Sequence, residues 1–406
     1  MISLFGYGQT MKALSKILAP CNIYDEKFEN KSKDEFGNNL LPVKYFDSND
    51  SSLEIISPGI PPNFVLNKQA KNLISEYDYF YPNNALNIWI SGTNGKTTTT
   101  QMTQNLLCEY GSVCGGNIGI PLCNLDKNAK IWILETSSFM LHYTNKANPK
   151  IYALLPITQD HISWHNSFEN YVEAKLKPLK LMKNDSIAII PNQYKNKIND
   201  FKGRIYFYDS ISSLAKIFDI DTKKIKFRGA FLLDSLMALA IAKILTNKID
   251  YKTINEFMID SHKIEEFRDK NGRLFVDDSK ATNIDATMCA LEIYKDKEIF
   301  LILGGDNKGV SLEPLFCEMK SYRIKIFAIG KCCDEILKLS KKYNIYCKDS
   351  KTLKNALDSI KNIFVDKENS VCLLSPACAS LDQFESYKHR GEEFKKYALL
   401  QNKNGF

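Results

Sequence analysis

Residues 91–100 read Ser-Gly-Thr-Asn-Gly-Lys-Thr-Thr-Thr-Thr, after the apolar run Asn87 to Ile90 and ahead of a helical stretch. This order of strand, glycine loop, Lys-Thr and helix ties the chain to a parallel α/β sheet, because such a loop leaves a strand's carboxyl end and opens a helix. The loop follows the short G-x-x-G-K-T form, since the longer pattern asks for glycine where Ile90 stands. With Thr93, Asn94 and Thr98 as further candidate phosphate-binding residues, Gly92 and Gly95 would let backbone N–H groups wrap a polyphosphate. Lys96 is suited to neutralise its terminal phosphates, and the Thr97 hydroxyl to hold Mg²⁺. The plain alternative is a glycine turn capping an ordinary helix.

Similar apolar runs recur between helical patterns at Ile2 to Phe5, Leu53 to Ile56, Ile131 to Leu134, Ile151 to Leu155, Leu274 to Val276, Ile299 to Leu303, Ile324 to Ile329 and Val371 to Leu374. Their alternation predicts an α/β chain with parallel, doubly wound sheets. At 406 residues the chain exceeds one core. Three domains are expected: a Rossmann-like one over 1–82, a central P-loop sheet domain over 83–259, and a Rossmann-like one over 260–406. The boundaries follow the polar turn Tyr81-Pro82-Asn83-Asn84 and the helical stretches Leu232 to Leu245 and Thr253 to Ile259.

The net charge of +7 is spread without a dominant basic block, which suits small anionic substrates at least as well as nucleic acid; no nucleic-acid partner is expected. No run reaches ~18 uninterrupted apolar residues, and the N-terminus lacks a signal-peptide pattern, so a cytoplasmic protein with no membrane span is expected. Eleven cysteines without a C-x-x-C pair fit reduced thiols rather than a disulfide framework or zinc site.

Further loops carry chemistry. Gly6-Tyr7-Gly8 follows the first strand, with Asp25 where an acidic partner of a nucleotide would sit; Met11 occupies the place of the third glycine, and a tight strand-helix turn is the plain alternative. Ser57-Pro58-Gly59-Ile60-Pro61 ends another strand. Beyond the phosphate loop come Gly116-Asn117-Ile118-Gly119, Glu135-Thr136-Ser137-Ser138-Phe139, Thr158-Gln159-Asp160-His161 and Tyr171-Val172-Glu173-Ala174-Lys175. Glu135, at a strand end, is well placed to offer Mg²⁺ a hard oxygen ligand, and His161 beside a carboxylate is a candidate for a second cation; taken singly, the plain alternatives are a solvated strand-end glutamate and a hydrogen-bonded structural histidine. The last third holds Asp278-Ser279-Lys280-Ala281-Thr282-Asn283, Gly304-Gly305-Asp306-Asn307-Lys308-Gly309, and Leu374-Ser375-Pro376-Ala377-Cys378-Ala379-Ser380-Leu381-Asp382-Gln383-Phe384. His165, His142, His389, Cys378 and Phe139-Met140-Leu141 read as packing or surface residues, and Arg390-Gly391-Glu392-Glu393 as the start of a final exposed helix.

Together these motifs resemble the Mur ligase family over essentially the whole chain, and the last three resemble its D-glutamate-adding branch. The resemblance implies an ATP-dependent ligase that adds D-glutamate to UDP-N-acetylmuramoyl-L-alanine in peptidoglycan precursor synthesis, with Mg²⁺ at two sites and a monomeric state. By position it implies that Gly8, Gln9, Thr10, Asp25, Ser57, Pro58 and Gly59 hold the uridine diphosphate end, and that Asn117, Ser137 and His161 lie near the sugar and reacting carboxylate. It implies that Lys96, Thr97 and Glu135 serve ATP and the first Mg²⁺, and that His161 and a carbamylated Lys175 serve the second. Lys263 and Asp278 fall at nucleotide positions. Lys280, Thr282, Lys308, Ser380, Leu381 and Tyr387 fall at D-glutamate positions.

Three departures stand out. Ala230-Phe231-Leu232-Leu233-Asp234 replaces the family's His-Asn-x-x-Asn, Lys263 stands for arginine, and Tyr387 for phenylalanine. Asp234 is the polar survivor, with a nucleotide contact, a solvated position and a helix-pairing role all open. Rival readings are a folylpolyglutamate-type ligase, a P-loop kinase or NTPase, and a nucleotide-sugar binding protein.

Overall fold

The computed structural model describes residues 1–199 and 201–400. Asp200, in the expected central domain, and residues 401–406, at the end of the expected last one, lie outside them. The described residues form three six-stranded sheets, each within one of the three expected ranges. In spatial order the first runs Ser32–Lys33, Asn39–Leu41, Asn22–Tyr24, Ile2–Phe5, Leu53–Ile56, Leu73–Ile74. The second runs Arg204–Tyr208, Ile187–Pro191, Ile151–Leu154, Leu86–Ser91, Ile131–Glu135, Ser112–Gly116. The third runs Glu265–Arg268, Leu274–Asp277, Ser370–Leu374, Glu298–Gly304, Ile324–Ile329, Tyr346–Lys351. The second sheet is parallel throughout, whereas the first and third each carry one antiparallel edge pair.

All nine apolar runs are strands. Ile131–Glu135 and Ile151–Leu154 are buried at every position, as inner strands covered by helices on both faces must be. The chain packs as two compact units. One comprises Met1–Ile157 with Trp164–Phe257 and holds the first two sheets. The other comprises Thr158–Ser163 with the chain from Met258 onward and holds the third.

Two register pairs decide where the central chemistry sits. Ile90 pairs with Glu135 and Glu135 with Gly116, so three parallel strands end at one level of the second sheet. The loops after them, which contain Gly92–Lys96, Thr136–Ser137 and Asn117–Gly119, leave from a common edge. The helix Gly229–Thr246 is apolar enough by length and composition to cross a membrane. Its stretch from Asp234 to Ala242 is nevertheless buried and packs on the phosphate-loop helix Lys96–Leu107, the behaviour of a core helix.

One expectation is corrected. The last helix, Tyr387–Leu399, starts three residues before Arg390, with the Ser386 hydroxyl accepting from His389 N–H as its cap. Arg390 is only 1 % exposed, and Gly391 is buried too, so this is no free surface turn.

Candidate active site

The phosphate loop owes its shape to two glycines. Gly92 has φ +142°, and a Cβ there would lie 2.5 Å from Leu155 Cβ; Gly95 has φ +80°, and its Cβ would lie 2.1 Å from Asp234 Oδ1. No other residue fits either place without strain. Gly95 is the N-cap of Lys96–Leu107 and provides no side-chain cap, which leaves the helix N-terminus open towards an anion. Lys96 Nζ donates to Thr93 O at 2.8 Å, folding the ammonium back over the loop. Asp234 is buried, and its Oδ1 accepts from Thr99 Oγ1 at 3.3 Å. That carboxylate thus pairs with the phosphate-loop helix and is not solvated, which selects among the three roles left open for it.

Glu135 is buried at the end of its strand and joins two predicted groups. Thr97 Oγ1 donates to its Oε2 at 2.8 Å, and Asn117 Nδ2 to its Oε1 at 2.6 Å. Lys175 is also buried; its Nζ donates to Gly92 O at 2.7 Å and Ser91 Oγ at 3.4 Å and lies over the Tyr171 ring at 4.8 Å.

A cleft in the same unit is lined by Gln9, Thr10, Pro58, Asn117 and Ser137, five positions taken from distant parts of the sequence. Gln9 Nε2 donates to Gly119 O at 2.7 Å, bridging the first strand-helix turn to the Asn117 loop. Ser137 Oγ accepts from Met140 N–H as the cap of Ser138–Tyr143. Asp25 follows the strand Asn22–Tyr24, and its carboxylate accepts from Tyr7 N–H at 2.6 Å and Lys27 N–H at 2.9 Å, which shapes the Gly6-Tyr7-Gly8 turn. Ser57 lies beneath that turn, 3.8 Å from where a Gly8 Cβ would be, and Gly59 O accepts from Trp164 Nε1 at 3.4 Å. Glu76, missed in the sequence, also lines the cleft. Burial pushes its carboxyl up to about 7 against the pull of the Leu122 and Cys123 N–H groups. A lone glutamate in a short helix gives no local signal of this.

In the other unit, His161 has φ +54° and its Nε2 lies 3.5 Å from Asp160 Oδ2. Lys308, at φ +53°, donates from Nζ to Asp160 Oδ1 at 3.0 Å. Burial pushes the Asp160 carboxyl up, but Lys308 and then His161 outweigh it and hold it below the usual carboxylate range. The loop carrying Lys308 is zipped to the one carrying Ser380: Asp306 N–H donates to Ala379 O at 2.9 Å and Ala379 N–H to Asp306 O at 2.8 Å. Lys280 Nζ lies 4.1 Å from the centre of the Tyr387 ring. Asp278 is buried, and burial pushes its carboxyl up to about 8, although Ser375 Oγ donates to it at 2.7 Å and Ile264 N–H at 3.3 Å. Lys263 pairs with Asp260 at 3.2 Å. Ser380 is buried, Thr282 half-buried, and Leu381 74 % exposed. His165 is buried, with Nε2 2.9 Å from Ser138 Oγ, in keeping with a packing role.

Among known proteins, the model of the Mur ligase middle domain matches residues 90–232. The chain is 51 % identical over 399 residues to the UDP-N-acetylmuramoylalanine--D-glutamate ligase of Campylobacter jejuni, covering 97 % of this chain and 98 % of that one. It is 47 % identical over 420 residues to the ligase of the same name from Helicobacter pylori, covering 98 % and 99 %. A solved MurF ligase of Thermotoga maritima in complex with ADP superposes with a TM-score of 0.59 at 15 % identity over 86 % of this chain and 88 % of that one. A MurC structure from the same organism gives 0.56 at 15 % identity over 97 % and 98 %. At that identity the solved structures speak to the fold.

Proposed function

The chain belongs to the Mur ligase family, and on that premise we propose that it joins D-glutamate to UDP-N-acetylmuramoyl-L-alanine, converting ATP to ADP and phosphate. The observation that carries the reading is the run Thr97, Glu135, Asn117. One buried carboxylate links the phosphate loop to a residue of the cleft that suits the uridine-linked substrate. Phosphoryl transfer requires donor and acceptor oxygens nearly in line, so a shared anchor for both is what the chemistry needs.

A carboxylate is a poor electrophile, and ATP remedies this. An oxygen of the L-alanyl carboxylate attacks the γ-phosphorus, the bond to ADP breaks, and an acyl phosphate forms. The amine of D-glutamate then attacks the acyl carbon, loses a proton, and phosphate departs from the tetrahedral intermediate. Lys96 and the open helix N-terminus face the charge that builds during transfer, an effect worth several kcal/mol in a dry site. Thr97 and Glu135 fit a divalent cation, being a hydroxyl and a buried carboxylate oxygen 2.8 Å apart. Bound there, Mg²⁺ would neutralise part of the phosphate charge. The second Mg²⁺ expected at His161 and a carbamylated Lys175 belongs to the same proposal. So do the uridine contacts of Gly8, Gln9, Thr10, Asp25, Ser57, Pro58 and Gly59, and the nucleotide contacts of Lys263 and Asp278.

For the acceptor we assign Lys280, Thr282, Lys308, Ser380, Leu381 and Tyr387. Lys308 is held by Asp160 until a substrate carboxylate competes for it. We also assign the three ranges 1–82, 83–259 and 260–406 as domains for the uridine-linked substrate, ATP and the amino acid, in a monomeric cytoplasmic enzyme. Phosphate release is the test, measured with the uridine-linked substrate and D-glutamate, L-glutamate or L-alanine in turn. D-Glutamate is expected to dominate. Release with no amino acid would favour a plain NTPase, and a preference for L-glutamate on a folate would favour the folylpolyglutamate-type reading.

A further inference from the structure

Arg390 is the most thoroughly buried cation that the reaction scheme leaves without a role. Its Nε donates to Ser279 Oγ at 2.9 Å, Nη2 to Ser279 O at 2.8 Å and to Cys378 O at 3.1 Å, and Nη1 to Cys378 O at 3.1 Å. All four bonds go to neutral oxygens. Burial lowers the guanidinium to about 10, so it remains charged at neutral pH. The two loops it grips lie about a hundred residues apart in sequence. One carries Lys280 immediately after Ser279; the other carries Ser380 two residues after Cys378.

The surroundings fit a clamp built for position. Gly391 lets the helix approach closely, since a Cβ there would lie 2.2 Å from His262 Nδ1 and 2.7 Å from Asp277 Oδ2. Ser279 Oγ passes the linkage on, donating to Tyr387 O at 2.8 Å and so joining the residue whose ring faces Lys280. Asp278, by contrast, is held by Ser375 Oγ, Ile264 N–H and its own N–H to Leu374 O, none of which involves Arg390. The planar fork spreads its N–H groups over three nitrogens in fixed directions and so meets two carbonyls and a hydroxyl at set angles, a geometry that an ammonium, with its donors on one atom, does not reproduce.

We propose that Arg390 is a positioning residue for the acceptor amino acid, fixing the distance between the Lys280 loop and the Ser380 loop, so that the two carboxylates of a dicarboxylic amino acid meet their anchors together. The inference rests on the ligase reading above. It deepens that reading by assigning acceptor specificity to a residue that does not touch the acceptor.

The test compares Arg390→Lys and Ser279→Ala with the parent enzyme, taking KM separately for D-glutamate, ATP and the uridine-linked substrate, alongside melting temperature. Loss of the fork should raise KM for D-glutamate at least about tenfold in Arg390→Lys. Ser279→Ala, which removes one of the four bonds together with the hydroxyl's bond to Tyr387 O, should raise it about two- to fivefold. KM for the other two substrates should stay within about threefold. A merely structural arginine would lower melting temperature and active fraction but would not move one KM alone. Folded Arg390→Lys with an unchanged KM for D-glutamate, or with all three KM values rising together, overturns the proposal. If Arg390→Lys does not fold, Ser279→Ala decides by the same criterion. Failure of the parent enzyme to use D-glutamate at all would instead sink the ligase reading.

Discussion

Replacing Gly95 with alanine probes the phosphate loop directly. The residue sits at φ +80° and ψ −17°, a left-handed conformation that costs an L-residue about 1–2 kcal/mol. Its new Cβ would be placed 2.1 Å from Asp234 Oδ1, 3.0 Å from Asp234 Cγ and 3.1 Å from Leu155 Cδ1. The Asp234 carboxylate has to retreat by more than an ångström, which deprives the buried Thr99 hydroxyl of this acceptor, about 1–3 kcal/mol more. A total of about 2–5 kcal/mol is expected, a large share of an ordinary domain's stability. Urea unfolding of Gly95→Ala, Asp234→Ala and the double variant separates the two contributions. Truncating Asp234 removes the collision but not the strain, so the double variant should be about 1–2 kcal/mol more stable than additivity predicts. Additivity within about 0.5 kcal/mol would refute the claim that Asp234 restricts this position to glycine. A Gly95→Ala cost below about 1 kcal/mol would refute the left-handed conformation itself.

Other outcomes follow from the same geometry. Lys175→Ala should fold yet be nearly inactive, with partial recovery on adding short carboxylates if the lysine works as a carbamate; full activity without a rescuer would exclude that role. Asp278, moved from 3.8 to about 8, keeps its proton in the folded chain while the unfolded chain releases it. Its stabilising effect is therefore complete below about pH 4 and is lost as pH rises towards 8, by about 2–3 kcal/mol between pH 5 and 7. Asp278→Asn should flatten that part of the urea-midpoint profile, and an identical slope in parent and variant would refute the shift. Ala230 and Phe231 offer no side-chain amide and Lys263 is tied to Asp260, so ATP should be preferred over GTP and CTP by less than about a thousandfold, ~4 kcal/mol. A larger preference, read from turnover at matched Mg²⁺, would show that other residues read the base.

The phosphate loop was legible in the sequence because its chemistry is local: the glycines, Lys96 and Thr97 act within one strand-loop-helix unit. The nine apolar runs were legible for a related reason, since inner parallel strands are buried on both faces and need no alternation. Arg204–Tyr208, Ser112–Gly116, Glu265–Arg268 and Tyr346–Lys351 escaped notice because they lie at sheet edges, where exposed positions admit polar residues. Motif order was enough to name Gln9, Asn117, Ser137 and Lys308, and hence the family. It could not say that Glu135 joins Thr97 to Asn117, that Glu76 lines the same cleft, or that Asp234 turns towards Thr99. Arg390 is the plainest case. In sequence it stands among charged residues and reads as surface, and only the approach of two loops from elsewhere in the chain makes it a buried clamp. Residue order determines which groups a loop carries, whereas the packing of helices on three sheets decides which loops meet, because burial and hydrogen bonding act across space and leave no periodic mark along the chain.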